Sequence, residues 1–190
     1  PVIAELQPTR WTYEALMVTQ FKDNLYSRQE YTRNGETFYS LRKKISQAEF
    51  NKIHRIPEVR RAANDPGQLP LLRNELTRIS AFPGIAEFRF PEKLSPGTYD
   101  ASVADSVKSY LGKASAVFSL ASNEASDAMD RFYNLNKHEL DRLRDRYFNY
   151  KLEEIVTKYY ERKKVLFFNN SIIQNYDPVY MDPSPKGLLG

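Results

Sequence analysis

Residues Tyr99–Phe132, YDASVADSVKSYLGKASAVFSLASNEASDAMDRF, carry the strongest periodic pattern in the chain. Apolar residues recur at Val103, Val107, Tyr110/Leu111, Ala114, Val117/Phe118, Ala121, Ala125, Ala128/Met129 and Phe132. This three–four spacing, held over about nine turns, is the signature of one face of a long helix; a strand would alternate with a period of two. Thr98 or Asp100 caps its start. Asn134-Leu135-Asn136 reads as a turn, and a second periodic stretch follows through Leu140, Leu143, Tyr147, Tyr150, Leu152, Ile155, Tyr159 and Leu166. Two long helices joined by a few residues make an antiparallel hairpin. The small residues of the first (Ala114, Ala121, Ala125, Ala128) match the aromatics of the second and predict close packing. Beyond Asn169 the chain is Pro-rich and reads as irregular.

Upstream, the helical signals are shorter. After Pro8, with Thr9 able to cap, Trp11, Ala15 and Val18 fall at i, i+4 and i+7, with Leu16 and Phe21 widening the apolar face and Asn24 a plausible stop. Residues 25–40 are polar and aromatic, either loop or a short hairpin across Asn34-Gly35. A weaker helical pattern runs from Leu41 to Ala63, with Pro57 breaking or starting a segment. Asp65-Pro66-Gly67 is a turn, Leu69–Ile79 a short helix, and residues 85–98 an extended connection. The expected architecture is all-α: one domain over residues 1–190, with shorter helices and loops in 1–95, the long hairpin in 96–170 and an irregular return segment in 171–190.

Composition narrows the function classes. The chain carries 28 Lys+Arg against 24 Asp+Glu, is 41% hydrophobic and lacks cysteine. That apolar content and balanced charge exclude a disordered chain. A net charge of +4 does not point to nucleic acid. Without cysteine there is no disulfide scaffold, thiolate nucleophile or Cys-ligated metal. The longest apolar runs, Ala15–Val18 and Val165–Phe168, are four residues, against roughly 20 for a membrane span. Pro1-Val2-Ile3 is no signal peptide, and both ends read as cuts from a longer protein.

The motifs of common chemistries are missing. His54 and His138 have no second His at metal-binding spacing and read as surface residues. No GxGxxG, GxxxxGK[ST] or GxSxG occurs. Glu124, Asp127 and Asp130, and Glu153-Glu154, would bind a cation if they faced inward, but the apolar stripe is made by other residues, which favours a solvated face. Asp141–Arg146 reads as an ion-pair-laced surface. Basic clusters at Arg42-Lys43-Lys44, Arg60-Arg61 and Arg162-Lys163-Lys164 suit solvent, anionic headgroups or an acidic partner. Asn169-Asn170-Ser171 is a glycosylation sequon.

One segment carries a family resemblance. Residues 8–26, PTRWTYEALMVTQFKDNLY, resemble the RW-(A/T)-(Y/F)-E-A-L…Q-F…N segment of ATP-binding-cassette (ABC) exporter permeases related to the G subfamily. In that family the segment follows the fifth transmembrane helix and opens the last extracytoplasmic loop. Large fused ATPase–permease proteins of the Bacteroidetes type carry a long insert there. The match spans about a tenth of the chain and rests on Arg10, Trp11, Tyr13, Glu14, Leu16, Gln20, Phe21 and Asn24. The cysteines of eukaryotic relatives are missing, and neither nucleotide-binding motifs nor membrane helices lie in this piece. Trp11 and Tyr13 are residue types that favour a membrane–water interface; Trp11 filling the core is the plain alternative.

The resemblance implies a non-catalytic, periplasm-facing loop domain of an inner-membrane exporter, acting as lid, substrate guide or docking surface. Its partners would be the remainder of its own transporter, the adjacent membrane surface and a periplasmic protein, with no nucleic acid. It would have no cofactor of its own, ATP and Mg²⁺ belonging to the parent's nucleotide-binding domain, and no catalytic or metal residues. A standalone helical adaptor is the alternative, and an enzyme with an unfamiliar site the third reading. An inserted loop must also bring residues near Pro1 and Gly190 out on one face, within roughly 10–25 Å.

Overall fold

In the computed structural model, which describes residues 8–31, 35–157 and 165–174, the chain is mainly helical. The helices are α1 (Pro8–Phe21), α2 (Phe38–Phe50), α3 (Ile56–Ala62), α4 (Leu69–Ser80), α5 (Ala101–Leu135), α6 (Lys137–Tyr147) and α7 (Tyr150–Thr157). A π-helical segment, Asn51–Arg55, joins α2 to α3, and strands β1 (Val165–Phe168) and β2 (Ser171–Gln174) form an antiparallel pair. The described residues group into two compact units, the first comprising 8–31, 35–43 and 125–157 and the second 44–124 and 165–174.

The long periodic stretch is the 35-residue helix α5. Asp100 starts it, its Oδ1 accepting from Val103 N at 2.9 Å, one of the N–H groups a helix start leaves unpaired. Val103, Val107, Leu111, Ala114, Phe118 and Ala125 are buried. Ala121 is only half-buried and Ser122 takes the buried position beside it, so the core stripe passes one residue along from the alanine. Leu120, off the stripe, is 58% exposed.

In the first unit α5 gives way to α6 at Asn136. Leu140 and Leu143 of α6 then close a cluster with Tyr26, Phe38, Met129, Phe132, Tyr133 and Phe148. The second arm of the expected hairpin is shorter than the periodicity suggested. It breaks at Phe148–Asn149, where Asn149 Oδ1 accepts from Leu152 N at 3.0 Å and starts α7 anew. The helix expected through Leu166 is corrected as well, since Val165 opens a strand. Of the two readings offered for residues 25–40, the hairpin is present in reduced form. Glu30 and Thr37 make an isolated antiparallel bridge, and Gly35, φ +75°, supplies a conformation that glycine adopts without strain.

The second unit follows the local signals. Pro57 and Pro70 sit in the first turns of α3 and α4, where a missing N–H costs nothing. Asp65 Oδ1 accepts from Gly67 N at 2.9 Å, closing the turn between the two helices. Leu72, Ile79, Val59, Val107, Leu111, Phe118 and Ile172 are fully buried. The irregular connection after α4 is pinned by side chains that satisfy its carbonyls. Arg73 Nη2 donates to Leu94 O (2.7 Å) and Tyr110 Oη to Ala86 O (3.0 Å). Tyr99 Oη donates to Ala63 O, between α3 and α4, at 2.6 Å.

The β-hairpin is the main departure from the expected all-α chain, with a strand at residues 171–174 in place of irregular chain. Its turn is Asn169-Asn170, both at positive φ (46° and 52°), the conformation a two-residue type I′ turn demands and that Asn tolerates. Two short apolar, β-favouring runs on either side of an Asn pair (VLFF-NN-SIIQ) carry the hairpin signal, which the helical spacing through Leu166 masks.

Candidate functional site

Most of the segment that carries the family resemblance is the helix α1, and Asn24, its last motif residue, closes that helix from beyond its C-terminus. Asn24 Nδ2 donates to the carbonyls of Gln20 (2.7 Å) and Phe21 (2.9 Å), two acceptors the helix end leaves free. Asn24 Oδ1 accepts from Ser27 N (2.8 Å), and the buried Ser27 hydroxyl donates to Phe21 O (2.9 Å). Phe21 is buried with Tyr39 and Leu152, Met17 packing against them, so this end of α1 is fastened to α7. Leu16 and Gln20 are exposed. The side chains of Arg10, Trp11, Tyr13 and Glu14, and the Thr9 cap, lie outside the described residues, as do residues 1–7 and 175–190, on which the expected proximity of the two ends depends.

Around Phe21 the first unit gathers its charge. The Arg42 guanidinium lies between the rings of Phe21 (5.4 Å) and Phe148 (5.2 Å), a cation–π arrangement strengthened by the surrounding apolar side chains. It pairs with Glu153 of α7. Of the expected acidic pair, Glu153 is therefore engaged and Glu154 is exposed. Burial raises the pKa of neighbouring Tyr26 above its ordinary value, with Arg42 and Arg144 opposing.

A second constellation, in the other unit, escaped the sequence reading. Glu75 of α4 is fully buried. Its Oε1 accepts from Ile172 N at 2.8 Å, and its Oε2 lies 2.9 Å from Arg55 Nε. Arg78 Nε approaches Oε1 at 3.9 Å. Arg55 Nη2 and Arg78 Nη1 both donate to Ile172 O, at 3.4 and 3.5 Å, and Arg55 Nη1 donates to Asn51 Oδ1. The register explains the geometry. A two-residue hairpin begins with the hydrogen-bonded pair Phe168–Ser171, so in the next pair, Phe167–Ile172, the N–H and C=O of Ile172 point away from β1. A carboxylate and two guanidiniums replace the missing third strand and cover that edge. Burial lowers the Arg55 pKa and Glu75 raises it again; the guanidinium remains charged. The π segment places Asn51 and Arg55 on this lock. No spacing rule flags Glu75, which sits in sequence like any exposed helical glutamate.

Glu124, Asp127, Asp130 and His138 are exposed as expected, whereas His54, expected at the surface, is half-buried with its ring 5.8 Å from Phe50. Glu139–Arg142 pairs on the surface of α6, and Asp141–Arg144 pairs half-buried. Arg60 and Arg61 are exposed, Arg61 paired with Glu58. Among the described residues, no group of three or more His, Cys, Asp or Glu is placed to hold a metal ion, and no helix is long and apolar enough to cross a membrane. No protein-family model, curated protein or solved structure matches this chain.

Proposed function

We propose that this chain is the extracytoplasmic loop domain of an ABC exporter permease of the G-subfamily-like type, facing the periplasm from the inner membrane. It has no catalysis of its own and serves as lid, substrate guide or docking surface where the cargo leaves. The segment Pro8–Tyr26, with its RWTYEAL…QF…N pattern, carries the reading. Its support from the fold is local. All of the motif but Asn24 lies on one helix, Phe21 and Asn24 have defined structural work at its end, and Leu16 faces outward. ATP and Mg²⁺ would belong to the parent's ATPase domain, and the partners would be the rest of the transporter, the adjacent membrane surface and a periplasmic protein. The test is the parent open reading frame. Flanking membrane-spanning segments on both sides and a Walker motif in the same gene are expected; a frame encoding this domain without any membrane segment moves the reading to a standalone adaptor.

A further inference from the structure

The β-hairpin has one edge closed and one edge open. On the β2 side, Glu75, Arg55 and Arg78 engage the N–H and C=O of Ile172. On the β1 side, among the described residues, no hydrogen bond reaches the backbone. The register says which groups lie there. Phe168–Ser171 and Leu166–Ile173 are the hydrogen-bonded pairs, and Phe167–Ile172 and Val165–Gln174 are not. The N–H and C=O of both Val165 and Phe167 therefore point away from β2, four groups along one short edge. Leu166, Phe167 and Phe168 beside them are 44%, 58% and 64% exposed. Phe167 shares a sheet face with the fully buried Ile172, so β2 rests on α4 while β1 stands clear of it. Natural sheets guard such an edge with lysine, proline or a bulge. Residues 165–174 contain no charge and no proline, and their register is unbroken.

We propose that β1 is a self-association edge, pairing antiparallel with β1 of a second copy about a two-fold axis at Leu166. In that register Val165 of each copy lies opposite Phe167 of the other. Each such pair exchanges two N–H···O bonds, so every outward group of both strands is satisfied. The two Leu166 side chains meet on the axis as a close, non-hydrogen-bonded pair. Val165 and Phe167 meet on the other face, a β-branched residue against an aromatic one, and both combinations are favourable across strands. A two-fold contact requires a patch that complements itself, and the uncharged β1 sets no like charges against each other. A strand of another protein would gain the same backbone bonds, but no charge in β1 selects one. The edge is also held ready, since Asn74 Nδ2 donates to Asn170 O at 2.9 Å and Glu75 fastens Ile172. Three half-exposed large side chains per copy bury on the order of 600 Å² in total, below the about 1,200 Å² where standard interfaces begin. The dimer is therefore weak and concentration-dependent. The proposal does not rest on the exporter reading, and its failure leaves the test of the parent gene untouched.

Sedimentation velocity of the 190-residue chain, from micromolar to millimolar concentration, should show a monomer–dimer equilibrium. Leu166→Lys sets two ammonium groups against each other on the axis and should weaken association about tenfold or more. Phe167→Pro removes an N–H that β2 does not use, which an edge strand tolerates, but two of the four bonds between copies go with it. It too should weaken association about tenfold or more. Leu166 is exposed, so an unchanged thermal melt in dilute solution shows that the lysine variant still folds. Because the chain lacks cysteine, thiols can report the register. Mild oxidation should link the Leu166→Cys chains, whose thiols meet on the axis within disulfide reach. Phe168→Cys should stay unlinked, since its two copies stand about 13 Å apart along the strands. A monomer at every concentration (the edge being covered by this chain's own tail or kept for another protein) overturns the proposal. So does association that both variants leave intact, or cross-linking through Phe168→Cys as complete as through Leu166→Cys.

Discussion

Glu75 shows how much one residue can hold. It is buried, faces two arginines and accepts a backbone N–H of a strand far along the chain. Glu75→Ala leaves Arg55 buried beside no anion, a loss of about 3–5 kcal/mol by the usual cost of breaking one side of a buried pair. Arg78→Ala, at a side chain 48% exposed, should cost less than about 1 kcal/mol. Urea unfolding separates the two, and equal midpoints would show that the pair does not lock the hairpin. Tyr110 gives a pH signature. Burial and, secondarily, Glu87 push its pKa from 10.0 up to about 12, so between these values the unfolded chain loses this proton before the folded one. Its contribution to stability is intact below pH 10 and falls as pH rises towards about 12. Tyr110→Phe should flatten the alkaline limb of a stability–pH curve and remove one late-titrating phenol from the native tyrosinate absorbance titration.

At the scale of elements, α5 and the hairpin make opposite tests. Phe118 is fully buried, its ring 4.8 Å from that of Phe82, and Leu120 two residues on is exposed. Phe118→Ala should cost about 3–5 kcal/mol, and Leu120→Ala less than about 0.5 kcal/mol. Similar melting temperatures for the two would mean the buried face of α5 is misassigned. In the turn, Asn170 at φ 52° should accept Gly with stability kept or slightly raised. Asn170→Val places a β-branched side chain in the left-handed region and should destabilise by about 1–3 kcal/mol, with loss of amide-exchange protection in β1 and β2 as the local readout.

For the whole molecule the predictions belong to the exporter reading. The isolated chain should neither bind nor hydrolyse ATP, and micromolar binding by calorimetry would contradict that. An insert between neighbouring membrane helices must leave and return close together. The cysteine-free background allows one spin label in each terminal segment, and a separation of roughly 10–25 Å is expected from helix spacing and chain reach. Labels much farther apart, on opposite sides of the domain, would rule out insertion between adjacent helices. Residue types alone carried this reading, through Trp11, Tyr13 and the rest of the segment.

From the sequence alone follow the mainly helical character of the chain, the start of α5 and most of its buried face, with Ala121 and Ser122 exchanged. Those features are local, since a period of 3.6 and a capping carboxylate act within a few turns of the same helix. The same local information placed α1, α4 and the Asp65-Pro66-Gly67 turn. It failed where two local codes overlap. Leu152 and Ile155 continue a helical period past Asn149, and Val165–Phe168 fits the end of a helix as readily as a strand; the strand wins because β2 is there to pair with it and Glu75 and Arg55 are there to hold β2. Tertiary packing is what buries Glu75, sets Arg42 against two phenylalanine rings, and hides Ile172 while Phe167 and Phe168 stay exposed. Each of these depends on a partner tens of residues away, and a charge or a phenyl ring carries no mark in the chain of the neighbour that folding brings to it.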